Sequence, residues 1–343
     1  MEQHLILGVG AIGVSTAVIF AYLVVIWWLD RYEREPFWVV LLAFLWGGVG
    51  GTTLGCVLSI GMSLPMEALL VPAQYAELVL ATVTAPIAEE LTKGLIFVFL
   101  IFTPYLDNET DGLIYGAASG LGFAVVENMF YFLATAASGD PEVFYATVVV
   151  RTLFTSLVHA ISTALLGYAI GYVRHRELLP VLWVWPIVGF CLAVVNHAMW
   201  NLLAHMSGAE LLTEQMAGEA MALAMTFVFF MSAAMFIITQ LSLMREQKVI
   251  EEYLADEAGR GTLPERHAEI IPSWRTRRKK GWLPPEVPHR EYVEAATMLA
   301  FRRYQLDTAA EVYRERYREG VEKHRHKVRR LLSEAGPSMD ATS

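Results

Sequence analysis

Only two cysteines occur in the 343 residues, Cys56 and Cys191, and both fall in apolar runs. Two such thiols make no disulfide framework, and each reads as a small buried hydrophobe. Positive charge is scarce over most of the chain. Residues 1–243 carry 6 Lys or Arg against 18 Asp or Glu, whereas the remainder carries 20 against 17. The opening stretch, MEQHLILGVG, has no basic n-region of a secretory signal. The apolar run behind it is span-length, so it is expected to stay as a first span. HExxH, the helical zinc-protease signature, does not occur. Nor do residues 1–103 and 143–243 show the inverted symmetry common in transporters.

Hydrophobic residues make up 55% of the chain and the mean hydropathy is +0.42, which excludes an ordinary soluble globule. Two regions are expected: a membrane-embedded body, 1–244, and a charged tail, 245–343. Seven runs are long enough to cross a bilayer: 5–29, 37–62, 76–103, 112–136, 143–173, 180–205 and 217–243. The basic residues Arg31, Arg34, Arg174, Arg176, Arg245 and Lys248 follow the odd-numbered runs, and the loops after the second, fourth and sixth have none. Positive loops stay inside, and an odd span count agrees. The expectation is an all-α polytopic membrane helical bundle of about seven transmembrane helices, N-terminus outside and C-terminus cytoplasmic, with a cytoplasmic helical tail.

The third run holds TAPIAEELTKGLIF, which places Glu89, Glu90 and Lys93 within about one turn. A charge at the bilayer centre costs roughly 2.5–3.5 kcal/mol on insertion scales. Lys93 is i+4 from Glu89 and i+3 from Glu90, so it can reach both. The two carboxylates lie about 100° apart on a helix, so one can pair while the other faces a cavity. The fourth run holds GFAVVENMF, with Glu127 and Asn128, and no basic residue in its own helix. Arg151 lies near the outer end of the fifth run and is expected to snorkel to the interface; TSLVHAIST places His159 mid-span. The sixth holds VVNHAMWNLLAH, where His197 and Asn201 share a face one turn apart.

Together these supply a base, an acid and oxyanion donors, the parts for directing water at an acyl carbon. Glu89, His159 and His197 would also suit a divalent metal such as Zn2+. Two other readings use the same residues. Buried Glu, His and Lys mark ion relays, as in a proton-coupled transporter or channel, and an inert scaffold would need them only for packing.

EELTK (89–93), FAVVEN (123–128), His159 and HAMWN (197–201), with LDRYEREP (29–36) and FLWGG (44–48), resemble the PrsW family of intramembrane proteases. The resemblance covers roughly residues 25–205 and extends to a wider group with the CAAX-prenyl endopeptidases and bacteriocin-processing enzymes. It implies an intramembrane endopeptidase in which Glu89 activates water, Glu90 supports it, His159 assists, and His197 with Asn201 stabilises the oxyanion. Lys93 and Asn128 would support them. Glu127 stands where the prenyl endopeptidases have His, which leaves the acid–base pairing and a metal mechanism both open. The implied substrate is a single-pass membrane protein of the anti-sigma-factor type, and the implied location is the cell (inner) membrane.

In the tail, EEYLADEAGRGTLPERHAE predicts a juxtamembrane helix ending near Gly259–Gly261. SWRTRRKKGWLPPEVP predicts a basic linker suited to anionic head groups or to solvent. A helix is predicted over 289–332, with Tyr292, Leu299, Leu306 and Tyr313 on one face for a cytoplasmic partner. Mixed charge there argues against nucleic acid. SEAGPSMDATS is expected to be disordered.

Overall fold

A computed structural model of the chain describes residues 2–69, 72, 75–174, 184–208 and 213–334. The expected disorder of SEAGPSMDATS falls on residues that, from 335 on, lie outside these. Among the described residues all regular structure is helical. Two compact units form, one from residues 2–29, 35–174 and 184–239, the other from 30–34 and 240–334.

Among the described residues six runs are long and apolar enough to cross a membrane: Ile6–Leu29, Phe37–Leu64, Glu109–Ser138, Pro141–Val173, Val184–Ser207 and Glu214–Gly259. The all-α polytopic bundle expected from the sequence therefore forms. Side chains such as Val14, Val57, Ile187, Phe229 and Phe230 stand exposed on these runs. In a membrane protein they face lipid, where apolar exposure carries no penalty.

The first helix, α1 (Glu2–Leu29), precedes α2 (Phe37–Leu45), which passes through a wide π turn, Trp46–Gly51, into α3 (Thr52–Leu69). The expected third span is helical only in pieces: α4 (Ala76–Val79), a π turn Leu80–Thr84, α5 (Ala85–Gly94) and α6 (Ile96–Leu100). Pro86 has no N–H to donate one turn back, which favours a break just before it. At the other end Leu95 N turns to Thr92 O at 3.3 Å, and Trp46 Nε1 donates to the same carbonyl at 3.1 Å. Irregular backbone at membrane depth is tolerated where protein surrounds it.

A reciprocal capping box starts α7 (Glu109–Ser138): Asn108 Oδ1 accepts from Thr110 N and Asp111 N, and Asp111 Oδ2 accepts from Asn108 N. It ends at Gly139, whose φ of 79° is the left-handed C-cap. Asp140 then caps α8 (Pro141–Val150), so the two helices form a tight hairpin. A π turn, Arg151–Thr155, leads into α9 (Ser156–Val173), followed by α10 (Val184–Ser207) and α11 (Glu214–Gly259).

Glycines on α7 decide how closely α9 approaches. A Cβ on Gly112, Gly116 or Gly120 would overlap backbone atoms of Gly167, Thr163 or His159 respectively. Small residues let helix backbones touch in lipid, where dispersion and hydrogen bonding replace the hydrophobic drive. On the opposite face, Cβ atoms on Gly47 and Gly122 would overlap Ser119 O and Phe44 O, so the glycine-rich second run serves close packing.

The second unit has its own core of Ile250, Leu254, Ile271, Tyr292, Leu299, Val328 and Leu331. A short helix, α12 (Glu265–Ile270), precedes an α-hairpin. The predicted helix 289–332 is two helices, α13 (His289–Thr308) and α14 (Glu311–Ser333), parted at Ala309 and Ala310, which are extended. The break lets Tyr292 and Leu299, read from sequence as a face for a partner, bury inside this unit instead. Glu257 is sealed there between Arg303 (3.0 Å) and Arg325 (2.6 Å).

Candidate active site

The helix α5 carries Glu89, Glu90 and Lys93, α7 carries Glu127 and Asn128, α9 carries His159, and α10 carries His197 and Asn201. The contact of Gly120 with the His159 backbone draws α9 against α7, within reach of Glu127 two turns further on.

Glu90 is fully sealed. Its Oε1 receives Lys93 Nζ at 2.7 Å and His197 Nδ1 at 2.9 Å, and its Oε2 receives Thr163 Oγ1 at 2.8 Å. Both oxygens are taken. Glu89 is different: its side chain is 14% exposed, and Oε2 stands 3.5 Å from Lys93 Nζ and 3.7 Å from His197 Nε2. Of the two adjacent glutamates, Glu89 is the one with exposed surface; Glu127 is 21% exposed.

Histidine tautomers follow from these partners. An ammonium only donates, so His159 Nδ1, 2.9 Å from Lys93 Nζ, accepts, and its ring proton sits on Nε2. That nitrogen lies 2.8 Å from Glu127 Oε2. His197 donates from Nδ1 to Glu90, which leaves the Nε2 lone pair toward Glu89. The two rings meet edge to face at 4.8 Å between centroids.

Arg151 departs from the expected snorkelling. Its Nη2 lies 2.6 Å from Glu127 Oε2, its Nε donates to Asn128 Oδ1 at 3.0 Å, and its guanidinium covers the Tyr131 ring at 3.6 Å. The nearby carboxylate attracts it more strongly than the interface does. Asn128 is thus a brace for Arg151. Asn201 Nδ2 donates to Ala81 O at 2.9 Å rather than to the His197–Glu90 pair. That carbonyl belongs to the π turn Leu80–Thr84. Side chains also donate to carbonyls of the other π turns, Thr52 Oγ1 to Gly47 O and Ser156 Oγ to Arg151 O.

Thr163 was not singled out in the sequence, although it lies one turn from His159 on α9. Arg151 was read only as an interface anchor, and Phe123, whose ring lies 4.2 Å from Lys93 Nζ, entered only as part of the FAVVEN motif.

Glu89, His159 and His197 each present one ligand atom, all within 4.8 Å of one another. One carboxylate and two imidazoles are an ordinary zinc set. Glu89 Oε2, Glu127 Oε2 and His159 Nε2 are buried without an aligned hydrogen bond, although the latter two lie close together. Three carboxylates here face two cations, Lys93 and Arg151, which leaves a net negative charge that does not oppose a cation. The residues fit a metal, on one condition: His159 must give up its Nε2 proton to become a ligand.

Polar groups of this chemistry, enclosed by apolar helices, define an intramembrane hydrolase as the class. Residues 35–235 match the family described as PrsW family intramembrane metalloprotease. The chain belongs to that family and is a multi-pass membrane protein that hydrolyses peptide bonds. Protease PrsW of Geobacillus kaustophilus (strain HTA426) is 29% identical over 178 residues, 51% of this chain and 72% of the relative. Protease PrsW of Oceanobacillus iheyensis is 27% identical over 139 residues (40% and 57%), and that of Clostridioides difficile (strain 630) 35% over 111 residues (31% and 43%). The matches to the last two span less than two thirds of each relative. No solved structure matches the chain.

Proposed function

We propose that this chain cuts a single-pass membrane protein of the anti-sigma-factor type at a water-accessible point beside Glu89, His159 and His197. The observation that carries the reading is the convergence of these three side chains, from α5, α9 and α10, within 4.8 Å. Glu89 takes the proton of the attacking water, a role worth typically 10²–10⁴-fold in rate. His197 Nε2 stands beside it to pass that proton to the leaving amine. His159 Nε2–H is held against Glu127 Oε2 at 2.8 Å, and this pair assists at the site. Glu90 and Lys93 fix the two rings, Arg151 and Asn128 fix Glu127, and Asn201 holds the π turn before α5.

A second reading is favoured by the ligand triad and the family description. With zinc held by Glu89, His159 and His197, the site gains a Lewis acid beside the water and the scissile carbonyl. Glu127 is then the carboxylate left to accept a proton.

The substrate class and an inner-membrane location with a cytoplasmic tail are supported by family membership and by the distribution of basic loops. The test is co-expression with candidate single-pass membrane proteins, comparing wild type with Glu89→Gln, His159→Ala and His197→Ala. Folded variants that process a substrate as fast as wild type overturn the reading.

A further inference from the structure

We infer that Ser15, on α1, is a positioning residue for the Glu127–His159 pair, acting through Thr152, Asn128 and Arg151. This role rests on the proposed function, and Ser15 lies outside the family match, which begins at residue 35. All of these residues belong to the first unit. Thr152 Oγ1 donates to Ser15 Oγ at 2.9 Å. Asn128 shares its Nδ2 protons among Ser15 Oγ, Ser156 Oγ and Arg151 O, each at 3.4 Å. One hydroxyl on α1 thus meets both α7 and the π turn Arg151–Thr155.

Apolar packing brings Ser15 there. Ala11 and Ile12, one turn before it, pack against Phe132, Ala136 and Phe144. Ile19, one turn after it, shares a core with Leu121 and Ala124. So α1 runs antiparallel to α7, and Ser15 falls opposite Asn128. Ser15, Asn128, Thr152 and Ser156 are all buried, and all sit in runs that cross the bilayer. An unpaired polar group is costly there, so the four hold one another in place.

The consequence reaches the imidazole by short steps. With its Nδ2 held on the Ser15 side, Asn128 turns Oδ1 to Arg151 Nε at 3.0 Å. Thr152 is the next residue in the π turn, so its bond to Ser15 fixes the backbone from which the guanidinium leaves. Arg151 Nη2 lies 2.6 Å from Glu127 Oε2, and that oxygen lies 2.8 Å from His159 Nε2.

The test combines histidine 15N NMR of the full chain in lipid with cleavage of a single-pass reporter that wild type processes. A hydrogen bond is worth about 5-fold, so Ser15→Ala and Thr152→Val are each expected to lower kcat by about 5-fold with KM unchanged. Thr152→Ser, which keeps the hydroxyl, is expected to restore most of that loss. Added to Arg151→Gln, Ser15→Ala is expected to change kcat by less than about 2-fold, because linked residues are not additive. The His159 resonance, assigned by its loss in His159→Gln, is expected to move in Ser15→Ala and Thr152→Val as it does in Arg151→Gln. Thr152→Val decides if Ser15→Ala fails to fold. An unmoved His159 resonance, an unchanged kcat in the folded variants, or losses that multiply with that of Arg151→Gln overturns the inference. Glu89→Gln in the same assay separates the two failures. If it cleaves like wild type, the proposed function falls, and the His159 resonance alone decides the role of Ser15.

Discussion

His197 Nδ1 donates to Glu90 Oε1 across 2.9 Å, and that carboxylate has no exposed surface. This one bond separates the roles of two adjacent glutamates. Glu90 is committed to holding a ring and an ammonium, which in the proposed function leaves Glu89 to act.

Replacing the two residues should therefore fail in different ways. Glu89→Gln is expected to fold with little change in melting temperature and to lose about 10²–10⁴-fold in cleavage rate. Glu90→Gln leaves Lys93 sealed beside a neutral amide, and breaking a buried ion pair costs about 3–5 kcal/mol. Thermal unfolding and reporter cleavage measured on the same preparations check both halves.

Arg151 should matter through Glu127. Arg151→Gln removes the group that aims this carboxylate at His159, and a drop in kcat of about 10-fold or more, equivalent to about 1.4 kcal/mol, is expected. Arg151→Lys keeps the charge but cannot reach Glu127 and Asn128 as a fork, so partial recovery is expected. Unchanged turnover in Arg151→Gln would remove Glu127 from the proposed machinery.

Gly120→Val tests the helix contact itself. The new side chain would meet the His159 carbonyl, and overpacking costs typically 1–3 kcal/mol or more. Expected are a lower melting temperature and loss of cleavage together, whereas Gly10→Val on α1, where a Cβ meets nothing, changes neither.

Metal content discriminates the two mechanisms. If zinc is the family's cofactor here, purified wild type should carry about one ion per chain, and His159→Ala or His197→Ala should lose most of it, since the site keeps two ligands of a usual three. Elemental analysis before and after chelation, with cleavage assayed alongside, reads this directly.

Acid should weaken the second unit. Burial, with Arg266, lowers the His267 pKa to about 4, below the roughly 6.5 of an unfolded chain. Between those values the unfolded state binds the extra proton, so stability present above about pH 6.5 is lost as pH falls toward 4. The imidazole pairs with Tyr292 Oη at 2.9 Å and packs edge-on against Trp282. Hydrogen exchange over residues 265–292 of the full chain should rise through that window, and His267→Gln should flatten the dependence.

The sequence by itself determined the membrane-embedded body and six of its seven expected apolar runs, and it marked the polar residues lying among them. Twenty-residue apolar stretches have one stable outcome in lipid, and a carboxylate or imidazole among them stands out by its cost. The HAMWN spacing, by contrast, suggested a His–Asn pair, yet Asn201 serves the Ala81 carbonyl. Arg151 looked like an interface anchor until α7 and α9 closed on their glycines and brought Glu127 to it. Tyr292 and Leu299 looked like a docking face until the chain turned at Ala309. The π turns left no pattern to read. Which glutamate is sealed, which nitrogen carries a proton and which cation meets which acid depend on the approach of separate helices, and only the tertiary structure decides that.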